Sequence, residues 1–337
     1  MINLFSKFNE LTVLIIGDVM MDTYLWGKVD RISPEAPVPI VSVHKKENRL
    51  GGAANVALNI QALGATPIIC SVIGDDTEGT DFLNLLSNQT LTSEGIIKES
   101  NRSTTVKTRI IGQKQQIVRV DSETDRYISK ESNELLLETI SRIISDRKID
   151  AIIFEDYDKG VISEDLIWQI VTLANLKNII TVVDPKKRNF SFYQNVTLFK
   201  PNLKELKEGL KLDIDPRNPH EIESAVSNLQ RQLNAKMLMV TLSELGVFIS
   251  SEAGQKLIPA HIRDIADVSG AGDTVIATTA LCLAAGLDEF KTAAIANLAG
   301  GLVCEQVGVV PITYELLLNE TEILNLKAIS QPEKSSE

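Results

Sequence analysis

The chain has 337 residues, of which 44% are hydrophobic and 23% are charged. A chain of this length and composition can bury a sizeable core, which excludes a wholly disordered protein. The net charge of −11 and the even spread of lysine and arginine argue against a nucleic-acid-binding surface.

The amino-terminal residues, the apolar segments and the cysteines bear on location. Residues 1–10 are too polar for the apolar region of a signal peptide. Residues 274–286 form the most apolar stretch, which is shorter than the roughly 20 residues that cross a bilayer. Cys70, Cys282 and Cys304 lack metal-ligand spacing and are odd in number, as in a reducing compartment. We therefore expect a cytoplasmic protein without a membrane span, a disulfide or a zinc site.

Short apolar, β-branched segments alternate with amphipathic segments along the chain. The predicted strands are residues 11–16, 67–73, 151–154, 179–183, 196–199 and 237–241. The predicted helices between and after them are residues 53–63, 130–145, 164–177, 221–233 and 275–285. This alternation predicts an α/β fold with a central, mostly parallel sheet and helices on both faces.

Two segments break this alternation. Residues 38–44 and 104–121 are strand-like, polar and without a helix between consecutive strands. We expect a small β-sheet that covers the carboxyl ends of the main sheet as a lid, or else an edge extension used for dimerisation. The sequence predicts one domain over residues 1–330, with lid strands within about 22–47 and 102–121, and a loose tail over residues 331–337.

A glycine turn before the last predicted helix carries the strongest chemical signal. Residues 267–274 read Asp-Val-Ser-Gly-Ala-Gly-Asp-Thr. The backbone N–H groups of Gly270, Ala271 and Gly272, together with the helix dipole, can hold a phosphoryl group. Asp273 can then accept the proton of an attacking hydroxyl, or it simply caps the helix. The chain has no GxxxxGK[ST] phosphate-binding loop.

The Gly-Ala-Gly-Asp turn resembles the anion hole and catalytic base of the ribokinase-like (PfkB-type) carbohydrate kinases. The resemblance implies a ribokinase-like fold and sugar binding by Gly51, Gly52 and Asn55, which begin a helix. It also implies that Asp18, at the end of the first strand, accepts hydrogen bonds from sugar hydroxyls. The alternatives are an ordinary helix start at residues 51–55 and a turn-capping aspartate at Asp18.

The same resemblance implies ATP and Mg²⁺ as cofactors. Asn202 and Glu205 match an NxxE element that holds hydrated Mg²⁺, although a helix-capping pair has the same spacing. Asp184 and Lys186 lie where the family lines the phosphate-transfer site. The residues expected near the nucleotide are Thr241, Ser243, Gly246 and Asn297, and those expected near a monovalent cation are Asp267 and Ser269.

A closer resemblance is to bacterial D-glycero-β-D-manno-heptose 7-phosphate kinases within this family. It is carried by residues 17–22, 31–39, 104–109, 115–121 and 155–160. It adds Asp156 and Lys159 to the expected sugar-binding residues. Strand alternation predicts Lys107, Arg109 and Arg119 on one face of the lid, where they either grip a sugar phosphate or remain solvated charges.

We therefore expect ATP-dependent phosphorylation of the heptose 7-phosphate at its C1 hydroxyl, in ADP-heptose and lipopolysaccharide core biosynthesis. The chain has no HxGH motif, which favours a kinase that leaves adenylylation to another protein. The alternatives are another PfkB-type sugar kinase and a catalytically silent sugar or nucleotide sensor. Relatives that pair through the lid favour a homodimer.

Overall fold

The computed structural model describes residues 5–112, 115–261, 263–306 and 308–323. The predicted tail, residues 331–337, lies outside these ranges, and the proposed domain limits stay a prediction. Across the described ranges, every helix is too short or too polar to cross a membrane.

The described residues contain two β-sheets. Their strands are β1 (Thr12–Gly17), β2 (Val19–Ile32), β3 (Pro39–Gly52), β4 (Thr66–Gly74), β5 (Gly95–Glu99), β6 (Val106–Gly112), β7 (Gln115–Ser122), β8 (Ala151–Glu155), β9 (Ile180–Asp184), β10 (Leu198–Phe199), β11 (Met237–Thr241), β12 (Val247–Ser251) and β13 (Gly254–Ile258). The larger sheet has the order β13-β12-β11-β10-β9-β8-β1-β4-β5. Its strands pair in parallel except for the antiparallel β11-β12-β13 edge, so the predicted α/β sheet is confirmed.

Helices cover both faces of this sheet. They are α1 (Ala53–Ala62), α2 (Thr77–Asn88), α3 (Lys130–Asp146), α4 (Glu164–Leu176), α5 (Leu203–Leu210), α6 (Pro219–Leu233), α7 (Ala271–Ala284), α8 (Glu289–Cys304) and α9 (Tyr314–Ile323). Strand β1 alternates between two apolar cores, because Val13 and Ile15 belong to the core that includes α1 and α7. Leu14 and Ile16 belong to the core that includes α3 and α4. Burial on both faces explains why the central strands are continuously apolar.

The second sheet has the order β3-β2-β6-β7 and confirms the predicted small sheet. Strand β2 follows β1 after one residue, and β3 runs directly into α1, so the small sheet is anchored where β1 ends. Strands β2 and β3 extend beyond the predicted limits of 22–47, whereas β6 and β7 lie within one residue of the predicted 102–121. Register shifts between Trp26 and Gly27 and between Ile110 and Ile111 bend the sheet.

Candidate active site

Three acidic side chains lie where neighbouring parallel strands end. Gly17, which precedes Asp18, pairs with Glu155 on β8, and Glu155 pairs with Asp184 on β9. Side chains at the carboxyl ends of adjacent parallel strands share one edge of the sheet, where ligands bind in open α/β folds. All three carboxylates are buried.

Asp273 reaches this edge from the first turn of α7. Gly270 occupies the N-cap position with φ of +81°, so the alternative that Asp273 caps the helix is wrong. The Tyr157 hydroxyl donates to Asp273 Oδ1 at 2.8 Å, and Asn55 Nδ2 donates to Oδ2 at 2.5 Å. Burial raises the pKa of Asp273 to about 6, against these two hydrogen bonds, which lower it. A carboxylate with this pKa is mostly ionised at neutral pH and able to accept a proton.

Asp18 is held by the loop that follows β8. Its Oδ2 accepts hydrogen bonds from the backbone N–H groups of Tyr157 at 2.9 Å and Lys159 at 3.0 Å. Its Oδ1 accepts one from Val161 at 3.0 Å. Burial raises the pKa of Asp18, and the three N–H groups oppose that rise. Because Tyr157 also contacts Asp273, one residue joins the two predicted functional carboxylates.

The diglycine before α1 allows a close approach of two chain segments. Gly52 has φ of +60°, and a Cβ there would lie 2.4 Å from the Asp18 carbonyl oxygen, so a larger residue would displace the strand end. A Cβ at Gly51 would lie 2.5 Å from Asp22 Oδ2. Asn55 is 2% exposed, and its Oδ1 has no hydrogen-bond partner among the described residues. A buried acceptor of this kind is suited to a hydroxyl of a bound molecule.

The predicted phosphate and Mg²⁺ residues form a connected ionic group. Asp184 Oδ2 lies 2.9 Å from Lys200 Nζ, and a Cβ at Gly272 would lie 3.7 Å from the same oxygen. Lys186 pairs with Glu205, whose carboxylate also accepts from the Asn202 backbone N–H at 2.9 Å. The glycine turn at the start of α7 therefore adjoins the Asp184 carboxylate.

Asn202 and Glu205 also form a capping box at the start of α5, so the capping alternative describes their contacts correctly. Within the ranges that the structure describes, no three acidic, histidine or cysteine side chains gather as direct metal ligands. This donor set fits Mg²⁺ held through its water shell, which is how that ion usually binds beside phosphates.

The residues predicted near the nucleotide lie along the adjoining edge. Thr241 and Asn202 pair in a single parallel β-bridge. A Cβ at Gly246 would lie 2.1 Å from the Ile258 carbonyl oxygen. Asn297 Nδ2 donates to the Pro259 carbonyl oxygen at 2.8 Å, so Asn297 and the turn at Gly246 meet the same segment. Ser243 lies in this turn with φ of +53°.

At the predicted monovalent-cation position, Asp267 accepts hydrogen bonds from the backbone N–H groups of Ser269 at 2.9 Å and Gly308 at 3.0 Å. The cation stays a prediction.

The lid places the three predicted cations on one face. Arg109 stands directly opposite Arg119, and Lys107 stands opposite Asp121. Each cation has an acidic partner: Arg109 pairs with Asp22, while Arg119 lies 2.8 Å and Lys107 3.6 Å from Asp121.

Two residues from the loop after β8 were also predicted to bind the sugar. Lys159 reaches towards the lid, where its Nζ lies 2.8 Å from Glu123. Asp156 instead accepts hydrogen bonds from Asn189 and Tyr193 at 2.9 Å each, so its carboxylate is engaged within the fold.

Sequence reasoning missed three residues at the centre of the site. The phenol of Tyr157 binds Asp273, Lys200 neutralises Asp184, and Glu155 is buried with Oε2 unpartnered among the described residues. Burial and the charges of Asp184 and Asp273 raise the pKa of Glu155 well above its usual value. Their positions at strand ends were the available signal.

A family match identifies the class of this protein as a sugar kinase. A family model described as pfkB family carbohydrate kinase matches residues 11–314, and the chain belongs to that family. It is 39% identical over 312 residues to bifunctional protein HldE of Helicobacter pylori strain J99, covering 92% of this chain and 66% of that protein. It is 38% identical over 303 residues to bifunctional protein HldE of Aliarcobacter butzleri, covering 90% of this chain and 63% of that protein. The chain thus spans less than two thirds of the length of these relatives.

Solved structures share the fold at low identity. Phosphofructokinase-2 from Escherichia coli in complex with substrates and products superimposes with a TM-score of 0.76 at 17% identity, covering 94% of this chain and 99% of that chain. Ribokinase from Arabidopsis thaliana complexed with ribose and ATP has a TM-score of 0.70 at 14% identity, covering 92% and 98%. These likenesses confirm the ribokinase-like fold.

Proposed function

We propose that this protein transfers the γ-phosphoryl group of ATP to the C1 hydroxyl of D-glycero-β-D-manno-heptose 7-phosphate. The product would be the 1,7-bisphosphate, made in the cytoplasm for ADP-heptose and lipopolysaccharide core biosynthesis. The observation that carries the chemistry is the contact of Tyr157 with both Asp18 and Asp273, 2.9 Å and 2.8 Å long, beside the glycine turn of α7. The choice of sugar rests on the sequence resemblance of residues 17–39, 104–121 and 155–160.

The geometry supports in-line transfer with Asp273 as general base. The C1 hydroxyl would lie against Asp273 and give up its proton as its oxygen bonds to the γ-phosphorus. The bond from that phosphorus to the β,γ-bridging oxygen would break, and ADP would leave. Because this transition state needs little covalent help, positioning by Asp18 and Asn55 and charge stabilisation by the amides of residues 270–272 would supply most of the acceleration.

Membership of a kinase family supports ATP with Mg²⁺ as the phosphoryl donor. Asn202 and Glu205 would hold the hydrated ion, which would neutralise charge on the phosphates. Lys186 is suited to a phosphate contact because its amine stays charged. Burial lowers the pKa of Lys186, but the carboxylates of Asp184 and Glu205 raise it by more than burial lowers it.

One competition assay distinguishes the proposed function from two alternatives. Another sugar kinase of the same family would prefer a different acceptor, whereas a silent sensor would bind sugar or nucleotide without turnover. In competition between heptose 7-phosphate, fructose 6-phosphate and ribose, we expect the heptose phosphate to be consumed first. Preference for another sugar would refute the named substrate and leave the phosphoryl-transfer mechanism in place.

Arg109 and Arg119 give a matched test of the lid as the sugar-phosphate site. Both project from the same face, but the Arg109 side chain is 19% exposed and that of Arg119 is 49% exposed. A charge-assisted hydrogen bond contributes about 1.5–3 kcal/mol and is weakened by solvent. We expect Arg109→Gln to raise KM for heptose 7-phosphate by about 10–100-fold, and Arg119→Gln to raise it less.

Steady-state kinetics with each substrate varied will separate these effects. KM for ATP should stay unchanged in both variants, and thermal unfolding will check that the loss of Arg109 beside Asp22 leaves the fold intact. Equal kinetic behaviour of Arg109→Gln and the unaltered enzyme would contradict a phosphate-gripping lid.

The opposite face of the lid supports a homodimer. Val118 and Val120 stand opposite Ile110 and Thr108, on the face away from Arg109, and are 45% and 53% exposed. Half-exposed valines on one sheet face suit a partner surface. We expect the protein to sediment as a dimer and Val120→Lys to shift it towards monomer, whereas a monomeric unaltered protein would contradict the pairing.

A further inference from the structure

The general-base carboxylate has hydrogen-bond donors on both oxygens. Asn55 Nδ2 lies 2.5 Å from Asp273 Oδ2, and the Tyr157 hydroxyl lies 2.8 Å from Oδ1. The two donors differ in accessibility, since Asn55 is 2% exposed whereas Tyr157 is only partly buried. Of the two donors, Tyr157 is therefore the one better placed for exchange with a ligand.

The phenol hydroxyl has the same chemistry as the group that the base must accept. Both it and a sugar hydroxyl donate one O–H to a carboxylate oxygen. The backbone of Tyr157 is fixed by its bond to Asp18 at 2.9 Å, while its ring lies 5.5 Å from Lys186 Nζ. Tyr157 therefore lies between Asp18, the carboxylate expected to bind the sugar, and Lys186, the cation expected to contact phosphate.

We propose that in the free enzyme the Tyr157 hydroxyl occupies Asp273 Oδ1 in place of the acceptor hydroxyl. The Tyr157 hydroxyl is then displaced when the sugar binds. Tyr157 is thus a positioning residue that keeps the base engaged until an acceptor replaces it. This inference rests on the proposed kinase function of the same site, and it adds an exchange of donors on one oxygen atom to that mechanism.

The two pH profiles of a kinase separate this exchange from a permanent contact. The profile of kcat/KM reports ionisations of the free enzyme, and that of kcat reports those of the complex. The Tyr157 hydrogen bond lowers the pKa of Asp273, so Tyr157→Phe should raise that pKa in the free enzyme. In the unaltered enzyme we expect kcat/KM to fall as the pH drops below about 6. In Tyr157→Phe this fall should begin at a pH higher by about one unit.

The acidic limb of kcat should stay where it is, because the phenol has already left Asp273 in the complex. Movement of both limbs would show that Tyr157 remains on Asp273 and would overturn the exchange. If neither limb moves, the phenol does not act on the base and the inference is equally wrong. Tyr127→Phe is the control, since Tyr127 is 48% exposed and its hydroxyl lies 3.5 Å from Asn189, and both of its profiles should match the unaltered enzyme.

A second measurement uses the intact side chain and needs no turnover. With 3-fluorotyrosine incorporated at Tyr157, heptose 7-phosphate added without nucleotide should shift the ¹⁹F resonance. An unchanged resonance at saturating sugar would overturn the displacement. If the unaltered enzyme phosphorylates a different sugar, both tests are run with that sugar; if it phosphorylates none, the proposed function fails separately from this inference.

Discussion

Asp273→Asn is expected to lower kcat by about 10³-fold, within the range of 10²–10⁴ that general-base catalysis contributes. Asparagine keeps the size of the side chain and can still accept the hydrogen bond from Tyr157, but it cannot take up a proton. The affinity for ATP should stay the same, because the Asp273 side chain is not among the groups proposed to contact the nucleotide. Single-turnover kinetics and calorimetric ATP titration would measure the two quantities.

Asp288→Asn is the matched control for this substitution. Asp288 caps α8 and accepts from the Lys291 backbone N–H at 2.9 Å, and asparagine is an equally good N-cap. This variant should keep full activity. Near-normal turnover in Asp273→Asn would refute the base assignment.

Lys200→Met is expected to lower the free energy of unfolding by about 3 kcal/mol, because it leaves a buried carboxylate without its nearest cation. Lys200 is 2% exposed and its Nζ lies 2.9 Å from Asp184 Oδ2, while Lys186 Nζ is more distant from Asp184, at 3.9 Å. Burial lowers the pKa of Lys200, but Asp184 and Glu205 raise it by more than burial lowers it. The lysine is therefore charged in the folded protein. Denaturant-induced unfolding would measure the loss.

Lys204→Met provides the comparison on the neighbouring helix. The Lys204 side chain is 83% exposed and lies 3.8 Å from Glu208, an arrangement that contributes about 0.3–0.5 kcal/mol at most. Its unfolding midpoint should stay close to that of the unaltered protein. Equal stability of the two variants would contradict the conclusion that Lys200 stabilises the buried acidic edge.

Much of the fold follows from the sequence because each central strand carries its own signal. The predicted strand at 237–241 coincides with β11, that at 151–154 ends one residue before β8 does, and that at 11–16 is shifted by one residue from β1. Burial on both faces makes these segments continuously apolar, and their carboxyl ends mark the edge of the sheet where ligands bind. The roles expected for Asp18 and Asp184 came from the family resemblance, and both residues directly follow a predicted strand or its terminal glycine.

The contacts that make the site specific could not be predicted in this way. The hydrogen bonds of Asp273 join it to residues 116 and 218 positions away in the chain, so they depend on how α1, β8 and α7 pack. Local pattern cannot show that the Tyr157 side chain turns towards α7 while that of Asp156 turns towards Tyr193. The acidic partners of the lid cations could not be predicted either, because strand register decides which residues stand opposite each other.

The position of the new phosphate in the reaction product tests the central claim most directly. Incubation with heptose 7-phosphate, ATP and Mg²⁺, followed by ³¹P and ¹³C NMR of the purified product, would locate it. We expect a second phosphate on C1 and one ADP formed for each bisphosphate. Phosphate on another carbon, or ADP formation without a sugar bisphosphate, would contradict transfer to the anomeric hydroxyl at this site.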